Sequence, residues 1–358
     1  MTSSPRIAAR FAPWAAPLAA LGVLVLAWPS AQGPVAVAAA AALIAAVFAA
    51  VHHAEVIAHR VGEPFGTLVL ALAITVIEAG LVVSLMLGGG PGQSALARDT
   101  VFATVMLVCN GIVGLCLLLG GARHYEQEFQ VQAASAKLAV LAALTTLTLV
   151  LPNYTTSASG PFFTTSQLVF SGLVSLVLYA AFVFVQSVRH RDDFAPPGDD
   201  APEAHGAHGG LAAAVPLLLL SLVAVVGLAK ALTPIVEAGV DRFGAPRSVV
   251  GVVIAALVLM PESLAAVRAA RENRLQTSLN LALGSALATI GLTIPAVAAV
   301  SVAIGLPLTL GLGPTQQVFL ALTLLVGVVT LGTGRTTVLQ GIVHLVILAT
   351  YLFLAVVP

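Results

Sequence analysis

Two glutamates stand where an ionised side chain is costly. Glu78 lies inside PFGTLVLALAITVIEAGLVVSLM, and Glu262 follows Pro261 in VLMPESLAAV. Each is the single acid of an apolar stretch long enough to cross a bilayer. A charged carboxylate at the bilayer centre costs at least ~2.5–3.5 kcal/mol on insertion scales. One such residue has a bland explanation, a protonated carboxyl bonded to a backbone carbonyl. Two at corresponding places point to chemistry. Facing carboxylates are either neutralised by protons or occupied by cations, and the two occupants compete for the same oxygens. That competition is the basis of cation/proton exchange. It also couples the fluxes, because moving two bare charges through a dry barrier is prohibitive and moving them neutralised is tolerable. Hard oxygen ligands suit Na⁺ or Ca²⁺.

Other polar groups lie within reach along the chain. Thr75 precedes Glu78 by three residues and shares its helix face. Pro261 removes a backbone donor beside Glu262 and loosens the helix, as in the broken helices of transporters. Ser263 follows, and Ser285 and Thr289 lie in the next span, NLALGSALATIGLTIP. Thr104 and Asn110 occupy the comparable span of the first half. Ser and Thr are also ordinary packing residues between membrane helices, so these hold both readings. Glu55, Glu63 and Glu237 fall near span ends, where they line an entry vestibule or proton path, or are simply solvated. His344 reads as a satisfied core histidine.

The elements that must position these residues are membrane helices. Of 358 residues, 59% are hydrophobic and 8% charged, with a mean hydropathy of +1.04. A soluble domain carries roughly 25% charged residues, so the composition implies an all-α polytopic membrane protein. The net charge of zero gives no sign of nucleic-acid binding. Windows of about 20 apolar residues predict eleven spans, near 13–29, 35–58, 65–89, 100–121, 137–152, 167–188, 211–233, 248–269, 278–303, 316–332 and 337–357. The first is read as a retained helix, since its run is long for a signal peptide and lacks a small-x-small cleavage site. Cys109 and Cys116, seven residues apart in one span, share a helix face and read as small packing residues.

With the N-terminus inside, eleven of the fifteen Lys and Arg residues fall on the inner side, and Arg98, Lys230, Arg242 and Arg247 outside. The positive-inside rule then predicts a cytoplasmic N-terminus and an outer C-terminus in the bacterial inner membrane. RHRDDFAPPGDDAPEAHGAHGG, residues 189–210, reads as a cytoplasmic linker between halves. Its His205 and His208 with nearby acids could sense cations; a solvated linker is the simpler reading. The halves are related: HHAEVIAHRVGEP and PIVEAGVDRFGAP both spell E-x4-R-x-G-x-P, through Glu55 to Pro64 and Glu237 to Pro246, and each precedes a span with one central glutamate. The predicted organisation is an N-terminal helix (1–33), a five-helix repeat (34–188), the linker (189–210) and a second five-helix repeat (211–358). An odd number of spans inverts the second copy, a transporter signature with the site at midplane.

These passages resemble the cation/calcium exchanger superfamily, and within it the bacterial calcium (sodium, potassium)/proton antiporters. VGEPFGTLVLALAITVIE resembles the first α-repeat of that branch, and LMPESLAAVRAARENRLQTSLNLALGSALATIGLTIPAV the second. GGARHYEQEFQVQAASAKL, LTLVLPNYTTS and GTGRTTVLQGIVHL resemble its connecting and closing segments. The resemblance implies one extra helix plus two inverted five-helix repeats, with Glu78 and Glu262 as the central cation- and proton-binding carboxylates. It implies no cofactor: Ca²⁺, Na⁺ or K⁺ and H⁺ are substrates. The partners are inorganic cations, protons and the lipid bilayer. The chain departs from the Gly-Asn-Ala-x-Glu pattern of calcium/proton exchangers, with ITVIE and VLMPE in the corresponding places, Thr75 where one asparagine would stand, and Ala288 where glutamine is frequent. Fewer amide oxygens favour Na⁺ or K⁺ transport, or broad specificity. An intramembrane enzyme would instead need paired aspartates or a GxGD element, and the Asp-Asp pairs at 192–193 and 199–200 are both in the linker. A cation channel would need a continuous water path, which so little polar content does not supply.

Overall fold

A computed structural model describes residues 4–62, 65–87, 93–194 and 211–357. The described residues are almost all helical, and the chain divides into two compact units, Met1–Gly88 with Ala204–Gly244, and Gly89–Glu203 with Ala245–Pro358. Among the described residues, eight helices are long and apolar enough to cross a membrane, and a ninth span forms if one bent pair is counted together. Two shorter apolar helices, Trp14–Ala27 and Leu68–Ser84, coincide with the first and third predicted windows.

The first unit holds α1 (Ser4–Ala27), α2 (Gly33–Val61), α3 (Phe65–Met86) and α9 (Leu211–Arg242). Helix α2 packs against the other three, and α3 and α1 also pack on α9. The shared E-x4-R-x-G-x-P element acquires a structural meaning at its glycines. Gly62 follows α2 with φ +75° and Gly244 follows α9 with φ +63°. A left-handed residue after the last turn ends a helix without a Cβ clash, which only glycine does at no steric cost. Further along, Gly80 lets α3 approach α9 so closely that a Cβ there would meet Val226 Cγ2 at 2.8 Å.

The second unit holds α4 (Leu96–Met106), α5 (Val113–His124), α6 (Val131–Thr145), α7 (Thr165–Phe184), α8 (Arg191–Phe194), α10 (Ser248–Val258), α11 (Met260–Arg271), α12 (Leu275–Ala288), α13 (Ile294–Ile304), α14 (Pro314–Leu331) and α15 (Val338–Val356). π-helical turns at Leu107–Ile112 and Thr289–Thr293 join α4 to α5 and α12 to α13 into single long spans. Local sequence sets several starts. Thr164 and Gln167 form a capping box at α7, the Thr164 amide donating to Gln167 Oε1 at 2.9 Å, and Thr337 with Gln340 repeats it at α15. Two short pairings tie connections together: β1 (Gln127–Glu128) runs antiparallel to β2 (Arg335–Thr336), and Phe162 bridges Thr309.

Candidate cation site

Glu78 sits in α3 with 1% of its surface exposed. Thr75 shares its face and is also buried. Its hydroxyl donates to the Ala71 carbonyl at 2.8 Å, which fixes the rotamer and leaves the oxygen lone pairs able to face a ligand. The helix is uninterrupted from Phe65 to Met86, so Glu78 gains no backbone carbonyl from a local break.

Glu262 is placed differently. Helices α10 and α11 meet at Leu259 with a bend of 56°, and Glu262, half-buried, lies in the first turn of α11. Pro261 explains the bend, because it has no N–H for the carbonyl of Leu257, while the amide of Leu259 still donates to the Ala255 carbonyl at 3.0 Å. Ser263 restarts the helix, its amide and its hydroxyl both donating to the Leu259 carbonyl at 2.8 and 2.6 Å. The start of α11 presents the positive end of a helix dipole to the carboxylate.

Helix α11 packs on α12 and α5, α10 packs on α4, and the π turn at Leu107–Ile112 packs on α12 and α11. The second unit therefore gathers Glu262, Pro261, Ser263, Thr104, Asn110, Ser285 and Thr289 on neighbouring helices. Thr104, Asn110 and Thr289 are buried, and Asn110 and Thr289 both lie in π turns, whose wider winding recurs at functional sites. The hydroxyl oxygens of Thr104 and Ser285 are buried without a hydrogen-bond partner among the described residues. Such oxygens are costly unless something polar reaches them. Asn110 is committed elsewhere: its Nδ2 donates to Thr323 Oγ1 at 2.8 Å, and its Oδ1 lies 3.1 Å from His344 Nδ1. His344 Nε2 is 3.1 Å from Thr330 Oγ1, so both ring nitrogens are engaged, as expected of a core histidine.

Glu78 and Thr75 belong to the first unit, as do Glu55, exposed on α2, and Glu237, half-exposed on α9. Glu63 and the linker histidines His205 and His208 lie outside the described residues. Sequence reasoning missed Thr323 and Thr330 on α14, single polar residues in an apolar helix with no local partner to mark them. It also missed the buried Lys137, whose ammonium donates to Asn280 Oδ1 and lies 5.3 Å from the Phe194 ring centre.

A putative ionic transporter, y4hA of Sinorhizobium fredii, is 55% identical over 318 residues, covering 88% of this chain and 87% of its own. The sodium-potassium/proton antiporter ChaA of Escherichia coli is 35% identical over 348 residues, covering 94% and 93%. The solved structure of YfkE, which in selenium-substituted form is described as a Ca²⁺/H⁺ antiporter, superposes with a TM-score of 0.73 at 16% identity, covering 97% of this chain and 99% of its own. That likeness shows a common fold. The relatives are transporters, and this multi-pass membrane protein is a transporter rather than an enzyme. Residues 34–188 and 213–357 match the sodium/calcium exchanger protein family, and the chain belongs to it.

Proposed function

We propose that the chain is a secondary antiporter that exports Na⁺ or K⁺, and Ca²⁺ where its site tolerates the divalent ion, in exchange for protons by alternating access. Glu78 and Glu262 are the two carboxylates that proton and cation share. The observation that carries this reading is the placement of the acids: one is buried in an unbroken membrane helix, and the other stands in the first turn after a proline-induced break. Thr75 supplies a hydroxyl oxygen on the Glu78 face, and Ser263, Thr104, Ser285 and Thr289 supply them on the helices of the unit that carries Glu262. Few amide oxygens accompany the acids, which favours a monovalent ion, since Ca²⁺ takes six to eight oxygens. ChaA, described as a sodium-potassium/proton antiporter, lends the same direction.

The inverted-repeat organisation supports alternating access. Exchanging residues 34–188 with 211–358 carries the α5–α6 connection onto α13–α14, and the α6–α7 connection onto α14–α15. The β1–β2 pairing and the Phe162–Thr309 bridge then change places. The left-handed glycines after α2 and α9 obey the same exchange. We place the protein in the bacterial inner membrane with the N-terminus cytoplasmic and the C-terminus outside, from the distribution of Lys and Arg.

The test uses inverted vesicles with an acidified interior and a fluorescent pH probe. Addition of Na⁺ or K⁺ should dissipate the gradient faster than Ca²⁺ at equal charge. Glu78→Gln and Glu262→Gln should each abolish the response while the protein still inserts. Active vesicles that respond to no cation, or full activity in both variants, would refute the reading.

A further inference from the structure

Helices α5 and α11 pack together and both end on basic residues, Arg123 and His124 in one and Arg268 and Arg271 in the other. Between these ends lies a cavity of about 620 Å³ lined by those four residues with Leu264, Val267 and Glu272. Complementing helix C-termini explains one basic residue per helix. It does not explain why three guanidinium groups converge on one concavity. Glu272, the single acid in the lining, already pairs with Arg274. No acid pairs with Arg123, Arg268 or Arg271 among the described residues. His124 Nε2 lies 3.0 Å from the Arg271 carbonyl and fixes one wall to the other.

The rest of the surface says what kind of anion fits. On α11, residues 264, 267, 268 and 271 share one face, and Glu262 points to the opposite one, so this cavity lies away from the side that carries the carboxylate. Leu264 is 52% exposed, and Leu115 and Leu119, which precede Arg123 on one stripe of α5, are 40% and 37% exposed. An apolar strip of membrane helix thus runs up to a basic cavity at the end of the span. A soluble anion would use the arginines and leave the leucines idle. A lipid uses both.

We propose that this groove binds a phospholipid with an anionic headgroup, its phosphate held by Arg123, Arg268 and Arg271 and an acyl chain lying along Leu115, Leu119 and Leu264. Basic pockets at the ends of membrane helices favour such headgroups, and paired guanidinium donors match phosphate oxygens.

Native mass spectrometry of the purified full chain tests this with phosphatidylglycerol, cardiolipin and phosphatidylethanolamine of matched acyl chains. The wild type should bind the two anionic lipids roughly tenfold or more tightly than the zwitterionic one, as expected for several basic residues at a headgroup. The triple variant R123Q/R268Q/R271Q should bind all three alike. Because that variant can misinsert, L119W/L264W provides a second arm: it keeps the charge, fills the apolar strip and should weaken lipid retention. Millimolar inorganic phosphate should leave the lipid in place. Equal binding of the three lipids by the wild type, unchanged preference in both variants, or displacement of lipid by phosphate would each overturn the assignment. The readout is binding alone, so its outcome is separate from that of the transport assay.

Discussion

Helix α3 and the pair α10–α11 each carry one glutamate, buried in the first and half-buried in the second, and they hold it by opposite means. In α3 the backbone runs unbroken through Glu78, and the Thr75 hydroxyl donates to the Ala71 carbonyl one turn back. In α10–α11 the backbone breaks by 56°, and Glu262 lies in a fresh helical turn. An unbroken helix keeps its own amides and carbonyls occupied, so Glu78 can offer an ion only side-chain oxygens. A broken helix releases backbone polarity and aims a dipole at its acid. The surroundings of the two glutamates therefore differ in stiffness and in the oxygens they offer, although the sequence elements leading into them match.

Removing either charge should produce the largest effect. Glu78→Gln and Glu262→Gln should each lower exchange by roughly 100-fold or more, since losing one charge of a buried set costs ~3–5 kcal/mol. Shortening the acid separates the two. Glu78→Asp retracts the carboxylate along a helix that cannot follow, whereas the bend beside Glu262 can adjust. We expect Glu262→Asp to keep roughly tenfold more activity than Glu78→Asp in initial rates of gradient dissipation, a difference of ~1.4 kcal/mol. Equal losses would remove the distinction between a stiff and a pliant half.

Pro261→Ala attacks the break itself. Restoring an N–H for Leu257 should straighten α10–α11 and raise thermal stability, because an interior proline costs a helix ~3 kcal/mol. The same change should slow exchange about tenfold by withdrawing the carbonyl and the dipole from Glu262. A variant that is more stable and equally fast would show that the bend serves folding alone.

Packing gives a third contrast. A Cβ at Gly251 on α10 would meet backbone atoms of α4, Thr100 N at 3.0 Å and Asp99 C at 3.1 Å. A Cβ at Gly80 on α3 would meet only the Val226 side chain. Backbone cannot turn aside as a side chain can, so Gly251→Ala should cost ~1–3 kcal/mol and Gly80→Ala less. Thermal unfolding in detergent would rank them, and the reverse order would mean that α4 and α10 separate more easily than α3 and α9.

The contrast between the two acids was largely legible beforehand, and the reasons are specific. Glu78 and Glu262 stood out because intramembrane acids are rare. The bend was legible in Pro261, because proline constrains the backbone directly; Gly62 and Gly244 marked a repeat in the sequence, and their place at the ends of α2 and α9 came from the structure. Hydropathy located the apolar helices, although two run well past their windows: 137–152 becomes Val131–Tyr154 and 211–233 becomes Leu211–Arg242. The π turns that hold Asn110 and Thr289 were not legible, since an extra residue in a turn is set by what packs against it. The Asn110–Thr323 and Asn110–His344 contacts join residues more than 200 positions apart. A single sequence carries no record of such pairings. Asn110 accordingly read as a free ligand candidate, whereas its amide spans three helical segments of the second unit.

Thr75 offers the smallest and most selective probe of the stiff half. Its hydroxyl already satisfies its own donor on Ala71, so Thr75→Ala removes one oxygen without leaving a buried donor stranded. Stability should change by ~1 kcal/mol or less, as for one net hydrogen bond. Transport should respond through ion affinity. With Glu78 limited to side-chain ligands, losing one of them should raise the concentration of Na⁺ or K⁺ needed for half-maximal exchange about fivefold, while Ser263→Ala, beside a site with backbone carbonyls in reserve, should raise it less. Thr75→Ser, which keeps the oxygen, should restore the wild-type value. If Ser263→Ala weakens cation affinity more than Thr75→Ala, the broken helix carries the selective oxygens and the unbroken one merely holds the charge.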